Sequence, residues 1–263
     1  MPHPPPSDLL TPIYVKSDSS GDFPAYDDPV YYVLARDGLF IGRNTANGAA
    51  RFQSIVPAPQ PPAELAAQSP GLVLDYPKLS GGQVARIVGF FGRIALDHRA
   101  EALVLLALDD SGEHLDLIVP PQIATVGRTW GGATYAIDVK YTLMPADGPL
   151  PTIIGDVHSH VYQSAYASNV DVNDEQHAPG LHIVIGHVNR EPPSFHADFV
   201  ADGTRFRIEP EEVLDLAGYR NRDPDTPPAW IEQVEIVTVG PAWVDGHRPD
   251  HSPTARDAAS RRW

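Results

Sequence analysis

The 263-residue chain contains no cysteine. This excludes disulfides, iron–sulfur clusters, cysteine nucleophiles and thiolate zinc sites, and leaves His, Asp and Glu as ligands for any metal. Basic residues are sparse: 19 Lys and Arg stand against 34 Asp and Glu, a formal charge of −15. No basic patch offsets that charge, which argues against nucleic-acid binding and against adhesion to an anionic membrane. No apolar run has the length of a membrane span, and the start MPHPPPSDLL does not have the basic-then-apolar order of a secretory signal. A cytoplasmic protein is the default expectation.

Proline (28) and glycine (21) are plentiful, so loops are extensive. A hydrophobic content of 42% with 20% charged residues fits a folded protein, and the length suits one large domain or one with a smaller companion. Residues 1–27, rich in Pro, Ser and Asp, read as a flexible arm. In VYYVLARDGLFIGRN two apolar runs flank Asp37-Gly38, a hairpin signal, so residues 28–71 are expected to form a small β unit followed by the proline-rich connector PAPQPPAELAAQSPG. The main domain is expected over 72–245, and 246–263 read as a disordered tail.

Within the main domain, Val84, Ile87, Val88, Phe91, Ile94 and Ala95 recur at helical spacing and predict an amphipathic helix over Gln83–His98. EALVLLALDD and EHLDLIVPP, separated by Ser111-Gly112, read as a hairpin. ATYAIDVKYTL, PTIIGDVHSH, LHIVIGHV, SFHADFVA, TRFRIE and WIEQVEIVTVG read as further strands, with a short helix over Glu211–Leu216. The expected class is α+β: a mostly antiparallel or mixed sheet with few helices.

The stretch GDVHSHVYQSAYASNVDVNDE carries the chemistry. His158 and His160 are two apart at the end of an apolar strand, so both rings point to one face and can share one metal ion. Asp171 is the natural third ligand, returned to the histidines by the intervening loop, with a short helix beginning there. A blander reading is available: Ser168-x-x-Asp171 is also a helix capping box. A cupin would place a glutamate where Ser164 and Ala165 stand, and a barrel amidohydrolase needs more chain downstream than remains. A mononuclear iron site of two His and one carboxylate is chemically possible. His98, His177, His187 and His196 have no motif support.

The order His158-x-His160, seven residues, Ser168, two residues, Asp171 resembles the JAMM signature of the MPN-plus, or JAB-domain, metalloproteases. The resemblance spans roughly residues 79–208: a helix, then a strand opening with a glutamate (here Glu101), a second strand, the His-x-His strand, and a strand after the metal-bearing helix. Many members carry proline where this chain has Val161. The DVNDE run and the N-terminal unit look more like prokaryotic, deubiquitinase-like members.

The resemblance implies an MPN/JAB-like (cytidine-deaminase-like) mixed sheet flanked by helices, and one Zn²⁺ per chain on His158, His160 and Asp171. It makes Glu101 the base that takes the water proton and Ser168 the oxyanion donor. Asp156, Asp174, Glu175 and His182 are candidates to orient the ligands, though each also reads as structural or solvated. The implied substrate and partner is a ubiquitin-like protein, cleaved after its C-terminal tail, with the N-terminal unit helping to grip it. The alternatives are a hydrolase of another peptide or small-molecule amide, and an inactive MPN-like scaffold.

Overall fold

The computed structural model describes residues 11–17, 26–45, 48–56, 63–109, 111–142, 151–176 and 178–240. The chain divides into two compact units, Met1–Tyr76 and Pro77–Trp263.

The first unit is a five-stranded sheet of β1 (Ile13–Val15), β2 (Val30–Ala35), β3 (Gly38–Asn44), β4 (Ala50–Val56) and β5 (Gly71–Leu74), in that spatial order. The β2–β3 hairpin turns at Arg36 and Asp37, one position earlier than expected, and pairs Ala35 with Gly38. Alternation along β2 and β3 buries Tyr31, Val33, Ala35 and Phe40 as the core of this sheet. Two boundaries need correction. β1 lies inside the stretch expected to be a loose arm, where it pairs parallel to β2 and Lys16 N–H donates to Leu34 O at 2.9 Å. β5 pairs with β4 beyond residue 71, so the unit ends at Tyr76. Residues 1–10 and the tail 246–263 lie outside the described residues.

The second unit opens with α1 (Gly81–His98). Ser80 and Gln83 form a capping box at its start, and the helix ends at Arg99 in the left-handed conformation. All six apolar positions predicted to face inward are buried. A six-stranded sheet follows, built from β6 (Leu103–Leu108), β7 (Leu115–Ile118), β10 (Thr152–Ser159), β11 (Gly180–Gly186), β12 (Ser194–Ala201) and β13 (Thr204–Ile208) in the order β13-β12-β11-β10-β6-β7. Every residue of β6 and β11 is buried, as expected for central strands covered on both faces. β10 runs antiparallel to β6 and parallel to β11. The β10–β11 crossover holds the loop after the histidines and α2 (Asn169–Glu175).

A separate three-stranded sheet, order β14-β8-β9, is formed by β8 (Gln122–Arg128), β9 (Thr134–Tyr141) and β14 (Val234–Val239). β8 was not predicted, and its pairing with β9 and β14 makes a second sheet where one had been expected. Two short helices, α3 (Pro210–Val213) and α4 (Pro228–Ile231), complete the described elements. The class is α+β, rich in strand with few helices, as the sequence predicts. No helix among the described residues is long and apolar enough to cross a membrane.

Candidate metal centre

β10 brings Asp156 and His158 to one face by strand alternation, and His160 continues the row one residue past the strand. The strand is seated closely on β11: a Cβ at Gly155 would lie 1.8 Å from Leu181 O, so only glycine allows this approach. After His160 the chain turns sharply, with Val161 at φ 50° and its carbonyl accepting Val188 N–H at 2.9 Å. A proline, locked near φ −65°, cannot take that conformation. The loop then passes over the end of β11 at Gly186, where a Cβ would sit 2.4 Å from Ala165 N and Gln163 O. Ala165 N–H donates to Ser194 Oγ at 3.0 Å, and His187 N–H to Gln163 O at 2.6 Å.

This path delivers α2 to the histidines. Ser168 caps the helix: its Oγ accepts Asp171 N–H at 3.2 Å, and Asp171 Oδ2 accepts Ser168 N–H at 2.7 Å. The capping box is therefore realised. The cap turns Asp171 towards the histidines, with Oδ2 3.3 Å from His160 Nε2 and Oδ1 3.6 Å from His158 Nε2. One ligand atom from each of His158, His160 and Asp171 lies within 4.8 Å of the others, a group that can hold a metal ion. Ligands about 2.0–2.1 Å from a tetrahedral ion stand roughly 3.3 Å apart, so the three atoms need move little to close on one. His158 Nε2, the nitrogen that faces Asp171, is buried with no hydrogen-bond partner, an expense a folded chain rarely carries unless something else satisfies the atom.

Glu101 lines the same cleft, although it is 57 residues from His158 in sequence. Two contacts put it there. Ala102 N–H donates to Ser159 Oγ at 3.1 Å while Ser159 N–H donates to Ala102 O at 3.0 Å. The Gln122 side chain accepts Leu103 N–H at 2.8 Å and donates to Leu103 O at 3.0 Å. Burial raises the Glu101 carboxyl above its ordinary 4.5; His158 and His160 oppose the shift, and Asp171 and Asp138 add to it.

Behind the histidines, Asp156 Oδ1 faces His158 Nδ1 at 3.5 Å and its Oδ2 faces His182 Nδ1 at 2.8 Å. His182 Nε2 meets Ala178 O at 2.9 Å. Both His182 nitrogens face acceptors, an arrangement that favours the doubly protonated ring. Burial works against that charge, but the Asp156 carboxylate outweighs it and raises the His182 pKa. Burial likewise pulls His158 down while Asp156 and Asp171 hold it well above 6.5. Asp156 and Asp171 are held well below the usual carboxylate range by the histidines, against the opposing effect of burial.

The cleft, about 220 Å³, is walled by β9 residues 136–141 on one side and by Tyr166 and Val170 on the other. Tyr166 stands edge-on to His160, ring centres 4.9 Å apart. Asp174 and Glu175 also line the cleft. Of the histidines without motif support, His187 faces Ser194, His196 is bonded to Asp198, and His177 lies outside the described residues. Sequence reasoning missed three contributors: Ser159, Gln122 and strand β9 as a cleft wall. Ser159 was within reach, because the residue between two ligands on a strand must face the opposite way. Neither the family models nor the curated proteins compared with this chain match it.

Proposed function

We propose that the protein is a zinc-dependent isopeptidase or peptidase of the JAMM type, acting after the C-terminal tail of a ubiquitin-like protein. The observation that carries this reading is the meeting of Glu101 with His158, His160, Asp171 and Ser168 in one cleft. A structural histidine pair would need neither a third ligand atom at this spacing nor a desolvated glutamate beside it.

His158, His160 and Asp171 are the residues that would hold the ion; two imidazoles and a carboxylate suit zinc and leave a position open. When bound, zinc supplies a Lewis acid that polarises a carbonyl and acidifies water to a pKa of about 7. Glu101, its pKa raised by burial, accepts the water proton and passes it to the leaving amine. The Ser168 oxygen already accepts Asp171 N–H, which leaves its own O–H free to donate to the carbonyl oxygen as negative charge builds there.

The shape of the cleft supports a polypeptide tail as substrate. β9 stands at the edge of its sheet, paired with β8 alone among the described residues, and its residues 136–141 wall the cleft. An open strand edge accepts an extended peptide through main-chain hydrogen bonds. Exposed Ile137, Tyr166 and Val170 offer apolar contact on either side.

The test is a panel of ubiquitin-like fusions incubated with zinc-loaded wild type and with Glu101→Gln. Wild type is expected to cleave after the modifier's tail, and Glu101→Gln to lose about 10²- to 10⁴-fold in rate. Cleavage of none of the panel by zinc-loaded protein would contradict the reading.

A further inference from the structure

We infer that His182 is a positioning residue that ties together the two elements carrying the metal ligands, and so sets metal affinity without touching the metal. The inference rests on the reading of His158, His160 and Asp171 as ligands. His158 and His160 belong to the β10 segment, Asp171 belongs to α2, and a loop separates them. α2 has little to hold it on the sheet: seven residues long, it buries only Glu175, and its Val170 and Val172 are 57% and 40% exposed. Apolar burial therefore does not fix Asp171 in place. The N-terminal end of α2 is held by the Ser168 cap, and the other end needs an anchor.

His182 supplies that anchor. It sits on β11, directly across from Asp156 in the ladder, and is 2% exposed. Its Nδ1 donates to Asp156 Oδ2 at 2.8 Å, and the other Asp156 oxygen faces His158 Nδ1 at 3.5 Å. A carboxylate on Nδ1 fixes the ring's orientation and leaves Nε2 for a metal. The opposite edge of His182 reaches just past α2: Nε2 donates to Ala178 O at 2.9 Å, and Ala178 N–H in turn donates to Glu175 O at 2.9 Å, while Glu175 Oε1 lies 3.8 Å from Nδ1. Glu175 Oε2 is in turn gripped by Arg205 Nη2 at 2.6 Å, and Arg205 Nη1 is bound to Asp198 Oδ2 at 2.8 Å. One imidazole thus links the support of His158 to the foot of the helix that presents Asp171. Asp156, His182 and Asp198 occupy one registered row across three strands, so the sheet itself sets the spacing of these members of the relay.

The experiment uses the full chain and reads three quantities: zinc affinity by chelator competition, the visible absorption of the cobalt-substituted protein, and the melting temperature without metal. His182→Ala and Asp156→Ala are each expected to weaken zinc binding about 10- to 100-fold and to alter the cobalt spectrum. The double variant should lose scarcely more than either single, because both residues act through one path. Asp156→Asn, which keeps an acceptor for His158, should recover part of the loss. If His182→Ala does not fold, Arg205→Met carries the test: it releases Glu175 from a partly exposed position and should also weaken zinc and shift the spectrum. Wild-type affinity and an unchanged cobalt spectrum in folded His182→Ala, or in Arg205→Met where that variant carries the test, would overturn the inference while leaving the ligand assignment intact. Wild-type protein that binds no zinc would remove the ligand assignment and this inference with it.

Discussion

Ser159 and Ala102 exchange two hydrogen bonds, Ala102 N–H to Ser159 Oγ at 3.1 Å and Ser159 N–H to Ala102 O at 3.0 Å. The residue between the two histidines therefore holds the neighbour of Glu101. Ser159→Ala would leave a buried N–H without a partner, a cost of about 1–3 kcal/mol. The expected outcome is a lower melting temperature and slower turnover with zinc content unchanged, measured by calorimetry, kinetics and metal analysis on the same preparation. Zinc lost in parallel with rate would mean that Ser159 supports the histidines rather than Glu101.

Ser168→Ala separates the oxyanion role from the cap. Removing the hydroxyl should lower turnover by about 10²- to 10³-fold. Asp171 keeps its bond from Ser168 N–H, so zinc should stay at wild-type occupancy. A variant that loses zinc in proportion to rate would show the serine to be a cap and nothing more.

Acidity should act in opposite directions on the metal-free and the metal-loaded protein. His158 is held well above its unfolded value of 6.5, so its contribution to stability is complete below 6.5 and lost as pH rises through the raised pKa. Asp156 and Asp171 are held below 3.8, so theirs is present above 3.8 and lost as pH falls through the lowered pKa. Metal-free protein should therefore be most stable between about pH 4 and 6.5 and weaken above that window. Zinc must displace the proton on His158, so its affinity should rise with pH. Thermal melts at pH 6 and pH 8, with zinc and with chelator, check both signs.

Gly186→Ala tests the loop path. The added carbon would meet backbone atoms of Gln163, Ser164 and Ala165 at 2.4 Å, and backbone cannot yield as a flexible side chain does. A loss of about 1–3 kcal/mol in stability is expected. The displaced loop should also carry Ser168 and Asp171 away from the histidines, which chelator competition would register as weaker zinc binding.

Much of this candidate site is legible in the sequence, for physical reasons that differ residue by residue. Strand periodicity alone put His158 and His160 on one face, and the absence of cysteine narrowed the ligands to His and carboxylates. Ser168-x-x-Asp171 supported two readings, and the two are compatible in the folded chain, since the cap itself turns Asp171 towards the imidazoles. Glu101 was legible only through a resemblance, because nothing local in HRAEALVLL marks that residue as lying beside residues 57 or more positions away. β8 escaped notice because QIATVGR is short and its burial alternates only in part. Gln122, at its start, acts through a side-chain amide that mimics a strand partner for Leu103, a contact without a sequence pattern. The relay through His182 follows from the β10–β11 register, which a single strand's pattern does not contain.

Metal analysis of protein purified without chelator, beside His160→Ala, is the most direct test of the central claim. One equivalent of zinc per wild-type chain is expected, with loss of that zinc in His160→Ala while circular dichroism stays unchanged. Zinc at wild-type occupancy in folded His160→Ala would contradict the proposed metal centre.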